Sequence, residues 1–395
     1  MTHVAMLGAG IMGVSAALRL ARRGCRVTLF DRADAPVSGA SRWNEGKIHL
    51  GFLYAGDRSL ATARRVVAGG VRFRALVEDL IGTSIAPAIA ADDDIYARHH
   101  ASVVGADDAA RYYAAVAALV ADADPTGEYL GLGAAPPPRR LSPAERARLY
   151  GDAITEAFAV PERSVDTRWI ADRLVEALAA EPRIELRLGT EVRSVRPRTT
   201  TDDRLDVLTP AGADGPYDAV VNALWEGRLA VDATAGLPPP ERWSHRYRLA
   251  AFLTTRTPIA VPSTVVATGP FGDVKRYDGR RFYVSWYAAG LVAEGHGVAP
   301  PPVPPVDDRR LLDETLARVA ALVPSVAALP PALEASRVAG GWVFAAGDGS
   351  LADPHATLHR RDRVGFTRHG RYLSVDTGKY SLAPWLAQQV ADAIL

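Results

Sequence analysis

The chain has 395 residues, with Lys plus Arg numbering 46 against 45 for Asp plus Glu, a net charge of +1 and a single cysteine, Cys25. That length exceeds one ordinary core and fits two domains, or one domain carrying a large insertion; the near-balance of charge supplies no global field to hold nucleic acid or an anionic membrane, so small molecules are the expected partners. One cysteine excludes a disulfide framework, a Cys-based metal site and a dithiol redox pair, which leaves any redox chemistry to a cofactor.

Val4 to Leu7 is an unbroken apolar run of the kind a parallel strand covered on both faces requires, and Gly8 ends it. A helix follows, with Val14, Ala17, Leu18 and Ala21 on one stripe and Gly24 at its C-terminal cap. Arg19, Arg22 and Arg23 interrupt this apolar N-terminus and no charged leader precedes it, so folded core is expected here and not a signal peptide. Val27 to Phe30 reads as a second buried strand, closing a strand, helix, strand unit. Further on, Asp166 or Thr167 caps a helix carrying Ile170, Leu174 and Leu178, with strands expected at Ile184 to Leu188 and at Tyr217 to Ala223.

Pro136 to Pro138 and the Pro300 to Pro305 run are stiff extended connections that mark excursions from this alternation. From Arg246 to Tyr287 the pattern changes to period two. Phe282, Val284 and Trp286 fall on one face, Tyr283, Ser285 and Tyr287 on the other, and Asp278-Gly279 supplies a hairpin turn, so antiparallel sheet is expected. Leu311 to Val323 reads as helix, Tyr372 to Val375 as strand and Leu382 to Ile394 as a closing helix. No segment approaches the roughly 20 uncharged apolar residues of a membrane span, and a cytoplasmic protein without integral membrane association is the expectation.

Gly8, Gly10 and Gly13 spell G-x-G-x-x-G between that first strand and first helix. The first glycine makes the tight turn, the second admits a pyrophosphate to the backbone, and the third lets helix and strand pack closely. The phosphates then rest on unpaired N–H groups at the helix N-terminus, where Ile11 and Met12 also lie. Asp31, at the end of the second strand with Arg32 beside it, can accept the hydrogen bonds of a ribose diol and disfavours a 2′-phosphate. These features alone do not separate FAD from NAD.

Gly39 to Tyr54 reads GASRWNEGKIHLGFLY. Ala40, Ser41, Asn44, Ile48, His49, Gly51 and Tyr54 resemble the loop after the second strand in the D-amino-acid-oxidase superfamily of FAD-dependent oxidoreductases. Within it they look most like the branch of L-2-hydroxyglutarate oxidases and FAD-linked glycerol-3-phosphate dehydrogenases. Ser164-Val165-Asp166 is similar to the superfamily's G-x-V-D segment, Val220-Val221-Asn222-Ala223 to its V-V-N-A-A-G strand, and Thr377-Gly378-Lys379 to its last flavin-contacting turn. The resemblance implies an α/β fold: a Rossmann-like FAD-binding domain of glutathione-reductase type with an inserted antiparallel α+β substrate domain. Residues 1–84, 150–232 and 335–395 are assigned to the first, and 85–149 and 233–334 to the second. Implied cofactor contacts are Gly8, Gly10, Ile11, Met12, Gly13, Asp31, Arg32, Ala40, Ser41, Asn44, Gly46, Lys47, Ile48, Val192, Asn222, Gly378, Lys379, Tyr380 and Ser381.

Three departures carry information. Leu224 and Trp225 replace the last Ala and Gly of V-V-N-A-A-G, which alters packing near the adenosine or the domain hinge. The closing turn T-G-K-Y-S-L-A-P lacks the longer loop of glycine and amino-acid oxidases, which points away from an ordinary amino-acid substrate. Asn44 stands after Arg42-Trp43 where related enzymes with an attached flavin carry histidine, so a non-covalent FAD is expected.

Flavin oxidation demands that the substrate be oriented, one proton handled and a reduced, anionic flavin stabilised. The resemblance implies that Thr377 to Tyr380 turn beside the flavin, where the last helix aims its positive end at that charge; Lys379 there either adds a full one or is a solvated loop lysine. His49 is the only histidine inside a family motif; it either acts as general base toward an alcohol, with an ordinary pKa of about 6.5, or is a core histidine bonding the backbone of the flavin loop. Lys47 either grips an anionic substrate group or is a surface lysine. Arg276, Tyr277, Tyr283 and Tyr287 lie on strands expected to roof the flavin, with Tyr283 and Arg276 as catalytic candidates. Trp225, Trp286 and Trp342 are read as packing, and the adjacent His99 and His100 have no second pair at metal-ligand spacing. The expected activity is oxidation of a CH–OH or CH–NH group of a small polar, anionic metabolite, with oxygen or another acceptor reoxidising the flavin. Alternatives are a flavin enzyme tailoring a sugar or natural-product intermediate, an idle flavin-binding subunit, and an NAD-dependent dehydrogenase.

Overall fold

The computed structural model describes residues 1–199 and 201–395. The apolar run His3–Leu7 sits inside a six-stranded sheet ordered Gly365–His369, Tyr372–Asp376, Ala219–Asn222, His3–Leu7, Arg26–Phe30 and Ile184–Arg187. All neighbours pair in parallel except the first two. Helices Ile11–Arg22, Thr167–Ala179 and Ala383–Ile394 pack together beside it, burying Val14, Leu18, Leu174, Leu386 and Val390 in one core. Each such side chain contributes about 1.5–3 kcal/mol by leaving water. Asp166 caps its helix by accepting the Arg168 N–H at 3.1 Å, and Gly24 takes φ +91 two residues past the end of the first helix.

A second sheet of nine strands runs Leu291–Gly295, Trp243–Thr255, Arg281–Trp286, Gly272–Arg276, Thr264–Val266, Asp94–His99, Ile154–Val160 and Arg139–Arg140, with Leu333–Ala346 also paired to Trp243–Thr255. The period-two pattern decides its two faces. Phe282, Val284, Ala251 and Leu253 turn toward helix Asp308–Leu322 and its Leu312, Leu316 and Val319. Tyr283, Ala250, Phe252 and Ala339 turn the opposite way, toward Trp43 and the other sheet. A small three-stranded sheet, Ser194–Pro197, Leu205–Thr209 and Gly212–Tyr217, completes the architecture.

Three expectations need correction. Tyr217 closes the small sheet, and the buried strand begins only at Ala219, because the Asp218 carboxylate turns aside to accept the His3 N–H at 2.8 Å. The domain boundaries drawn at 150 and 335 do not follow the sheets: Ile154–Val160 pairs with Asp94–His99, and Leu333–Ala346 is one continuous strand of the nine-stranded sheet. Among the described residues, three of the longer helices went unread, Ala61–Gly70, Phe73–Ile81 and Ala106–Ala123. The first ends in two glycines, a composition that argues against helix until the packing is seen: a Cβ at Gly70 would lie 2.1 Å from the His49 carbonyl oxygen.

Candidate active site

Between the two sheets lies a cleft of about 680 Å³, within the range of roughly 300–1,000 Å³ usual for ligand sites. At one end is the glycine turn. Gly8 has φ +100, and a Cβ there would come within 2.6 Å of the Ala223 carbonyl oxygen. The helix behind it starts at Gly10 with no side-chain cap and no acid in its first turn, so its N-terminal partial charge is left for a ligand. Ser41 accepts the Ile11 N–H at 2.9 Å, tying the flavin-type loop to this helix. Asp31 accepts the N–H groups of Ala9 at 2.6 Å and Ala33 at 2.8 Å, which fixes its carboxylate at the cleft wall.

Of the expected cofactor contacts, Gly8, Gly10, Ile11, Met12, Asp31, Arg32, Ala40, Ser41, Asn44, Lys47, Val192, Gly378, Lys379 and Tyr380 line the cleft. Five others lie behind its wall. Gly13 packs the helix onto the turn, where a Cβ would be 1.8 Å from the Gly8 carbonyl oxygen, and Gly46 abuts the Val165 carbonyl in the same manner. Ile48 is core. Asn222 donates to the Arg228 carbonyl at 2.9 Å and to the Tyr372 hydroxyl at 2.7 Å, and so organises the strand end instead of meeting a ligand. The Ser381 hydroxyl is buried without a partner beneath the turn. Asn44 also braces the loop, donating to the Ala40 carbonyl and accepting the Gly46 N–H, each at 2.8 Å.

The opposite end collects titratable groups. His49 is 2 % exposed; its Nδ1 has no hydrogen-bond partner and lies 3.9 Å from Glu162 Oε1. Burial, then the positive charges of Lys379, Lys47 and Lys275, hold the imidazole well below its ordinary pKa, so it stands neutral in neutral solution. Glu162 in turn accepts the Leu50 N–H at 2.6 Å and the Tyr96 hydroxyl at 2.5 Å. Burial and, against the pull of Glu45, the repulsion of Arg361, Arg246 and Arg248 bring the Lys379 ammonium down to about 8. Its Nζ stands 5.7 Å from the Tyr54 ring centroid. Tyr283 lines the cleft beside Arg248.

Three assignments change. Lys47 is neither a surface lysine nor free for substrate: its ammonium is bonded to Asp94 and lies 3.8 Å from Glu162, and these carboxylates outweigh burial to raise its pKa. Asp94 holds Lys275 as well, at 2.5 Å. Arg276 is outside the cleft, its guanidinium bonded to Asp92. Tyr277 is also removed from the wall, its hydroxyl donating to the Glu45 carbonyl at 3.3 Å. Trp225 and Trp342, read as packing, form part of the wall, and the Trp225 indole N–H donates to the Trp342 carbonyl at 2.7 Å.

Arg246, Arg248, Arg361, Glu162, Asp94 and Lys275 went unassigned in the sequence. A signal was present for the last of these. The chain has three lysines, Lys47, Lys275 and Lys379, against 43 arginines, and all three are packed around this end of the cleft. Where arginine is the default cation, a retained lysine marks a place that needs a compact ammonium whose pKa can move.

The donor set fits a flavin dinucleotide. A glycine cradle and open helix N-terminus suit the diphosphate, Asp31 the ribose, and the same cleft runs on to Gly378, Lys379 and Tyr380, with volume for a ring system. Comparison with known proteins agrees. Over 243 residues the chain is 30 % identical to the tRNA 5-methylaminomethyl-2-thiouridine biosynthesis bifunctional protein MnmC of Ralstonia nicotianae, a match covering 60 % of this chain and 33 % of that protein, so the chain spans about a third of that relative. The crystal structure of glycine oxidase from Geobacillus kaustophilus superposes with a TM-score of 0.69 at 20 % identity, covering 100 % of this chain and 95 % of that one. Iminodiacetate oxidase from Chelativorans sp. BNC1 gives 0.67 at 19 % identity, covering 98 % and 94 %. The family model described as FAD dependent oxidoreductase, DAO, matches residues 3–392. The chain therefore belongs to the DAO family of FAD-dependent oxidoreductases, and FAD is its cofactor.

Proposed function

We propose that the chain oxidises a CH–OH or CH–NH group of a small anionic metabolite, and that His49 takes the proton when the group is a hydroxyl. The observation that carries this reading is a buried, neutral imidazole in the cleft wall, at the end opposite the glycine turn and next to Lys379. Bound FAD supplies the hydride acceptor. The side chains do the rest. Glu162 faces His49 Nδ1, which favours the tautomer that turns an unprotonated Nε2 toward the cleft. Arg248 and Lys379 set a positive potential that draws an anion in and orients it, and Lys379 with the N-terminus of the last helix stabilises negative charge at that end. Tyr283 and Trp342 exclude water from the wall.

Replacement His49→Ala is expected to slow anaerobic flavin bleaching by substrate on the order of 10²- to 10⁴-fold, the usual worth of a positioned base, with flavin content unchanged. An unaltered rate would remove His49 from the reaction. A panel of hydroxy acids and amino acids identifies the substrate by the same bleaching. The MnmC relative is named for work on tRNA, but a net charge of +1 offers no field for RNA, and a free metabolite is the better reading.

A further inference from the structure

Asp376 directly precedes the turn Thr377-Gly378-Lys379 but is no part of the cleft wall. With Arg228 and Ser374 it lines a neighbouring cavity of about 600 Å³ that meets the cleft at Gly378. From that side it holds the turn. Asp376 Oδ1 accepts the Gly378 N–H at 3.0 Å. Gly378 stands at φ +65, where a Cβ would come within 2.2 Å of Val364 Cγ1, and the Lys379 N–H donates to the Thr377 carbonyl at 2.6 Å. Glycine is conformationally free in an unrestrained chain, so the direction in which Lys379 leaves the turn depends on what pins Gly378.

Asp376 is itself anchored. Arg228, at the start of the helix Arg228–Thr234, reaches Asp376 Oδ2 at 3.4 Å through Nη2, and Asp232 Oδ2 and Ser374 Oγ through Nη1, each at 3.1 Å. The Asp232 carboxylate also accepts the Ser374 hydroxyl at 2.6 Å, the Tyr372 hydroxyl at 2.7 Å and the Asn222 amide at 2.9 Å. Arg228, Asp232, Ser374 and Asn222 are all buried. Such an ionic network is often no more stable than an apolar core of the same shape, and its best-attested use is to specify one arrangement. The arrangement specified here is the backbone that carries Lys379. Burial raises the Asp376 carboxyl above its ordinary range, against the pull of Arg228 and of the Gly378 N–H. Accepting a hydrogen bond is thus its part in the turn, and a neutral amide oxygen can take that part over.

We propose that Asp376, anchored by Arg228, is a positioning residue for Lys379, holding the turn so that the ammonium stands where negative charge develops in the cleft, an assignment that rests on the role proposed for Lys379 above.

The test is the flavin midpoint potential at neutral pH, measured by equilibration with a reference dye, in the flavin-loaded parent and in variants checked for native circular dichroism and flavin absorbance. Asp376→Ala is expected to weaken the stabilisation of reduced over oxidised flavin about tenfold, a fall of about 30 mV for a two-electron couple. Asp376→Asn keeps an acceptor oxygen and should stay within about threefold of the parent. Lys379→Met should show a fall at least as large as Asp376→Ala. Adding Asp376→Ala to Lys379→Met should then change the stabilisation by less than about twofold, because the carboxylate acts through the ammonium. Merely structural damage adds in full to that background. Arg228→Lys keeps the pair with Asp232 and gives up the arm to Asp376; it should move the potential in the same direction, and it carries the test if Asp376→Ala does not fold. An unmoved potential in Asp376→Ala, or in Arg228→Lys where the alanine variant does not fold, overturns the proposal and leaves Lys379 its role. So does an asparagine variant as impaired as the alanine, or an effect undiminished in the Lys379→Met background. A potential unmoved in Lys379→Met removes the role of Lys379 and the proposal with it.

Discussion

At the scale of single residues, the chemistry depends on charges placed where water is scarce. Lys379, with a pKa brought to about 8 by burial and neighbouring guanidiniums, is charged below that value and neutral above it. If its ammonium is what stabilises negative charge in the cleft, the anaerobic reduction rate falls as pH rises through about 8. His49, held well below its ordinary 6.5, adds no limb in the same range. Lys379→Met should lower the rate on the order of 10- to 100-fold at neutral pH and abolish that limb; a limb that persists in the variant assigns it to another group. Lys47 shows why residue roles were harder to read than motifs. Its position in the flavin loop was legible, but the carboxylate that engages it is Asp94, which reaches it only through the fold and which also binds Lys275.

At the scale of elements, local spacing was enough wherever the relevant contacts are themselves local. The strand, glycine turn, helix and Asp31 occupy consecutive sequence and recur as one unit, and the alternation along Arg281–Trp286 separates Tyr283 in the wall from Phe282 in the core. Elements held by distant partners escaped. Arg276 sits on the expected roof strand, yet the edge carboxylate of Asp92 draws it away. The helix Ala61–Gly70 carries glycines because it presses on the backbone at His49. Gly70→Ala is therefore expected to act on catalysis and stability together. Its methyl group would meet the His49 carbonyl, and relief by shifting the loop moves the imidazole. A loss of about 1–3 kcal/mol in denaturant unfolding, accompanied by a slowed reduction rate, is the expected outcome; unchanged stability would show that the helix can move away freely.

At the scale of the whole molecule, the cleft wall is shared. Residues from the glycine turn and the strand end Ala223 face residues from the nine-stranded sheet, among them Arg248, Tyr283 and Gly341. FAD held there would be lined by both halves, so its binding would favour the folded form. Thermal unfolding of protein stripped of flavin and then reconstituted should show a higher midpoint with FAD, equivalent to about 2.7 kcal/mol at a hundredfold excess over Kd. An unmoved midpoint would mean that the cofactor bridges nothing. The two-sheet division was legible from the change of period near Arg246, but the boundaries were not. A strand such as Ile154–Val160 pairs with Asp94–His99 across a helical excursion, and only the ladder itself records that.

The distribution of lysine in this arginine-rich chain reaches beyond catalysis. Apart from the α-amino group, every primary amine of the polypeptide lies toward the end of the cleft opposite the glycine turn. Lys47 and Lys275 are sealed inside the protein while Lys379 is only partly covered. Acylating or reductively alkylating reagents, which attack uncharged amines, thus encounter a polypeptide whose one accessible and readily deprotonated side-chain nucleophile is the catalytic candidate itself. Bulk amine chemistry, ordinarily indiscriminate, becomes on this surface an active-site probe.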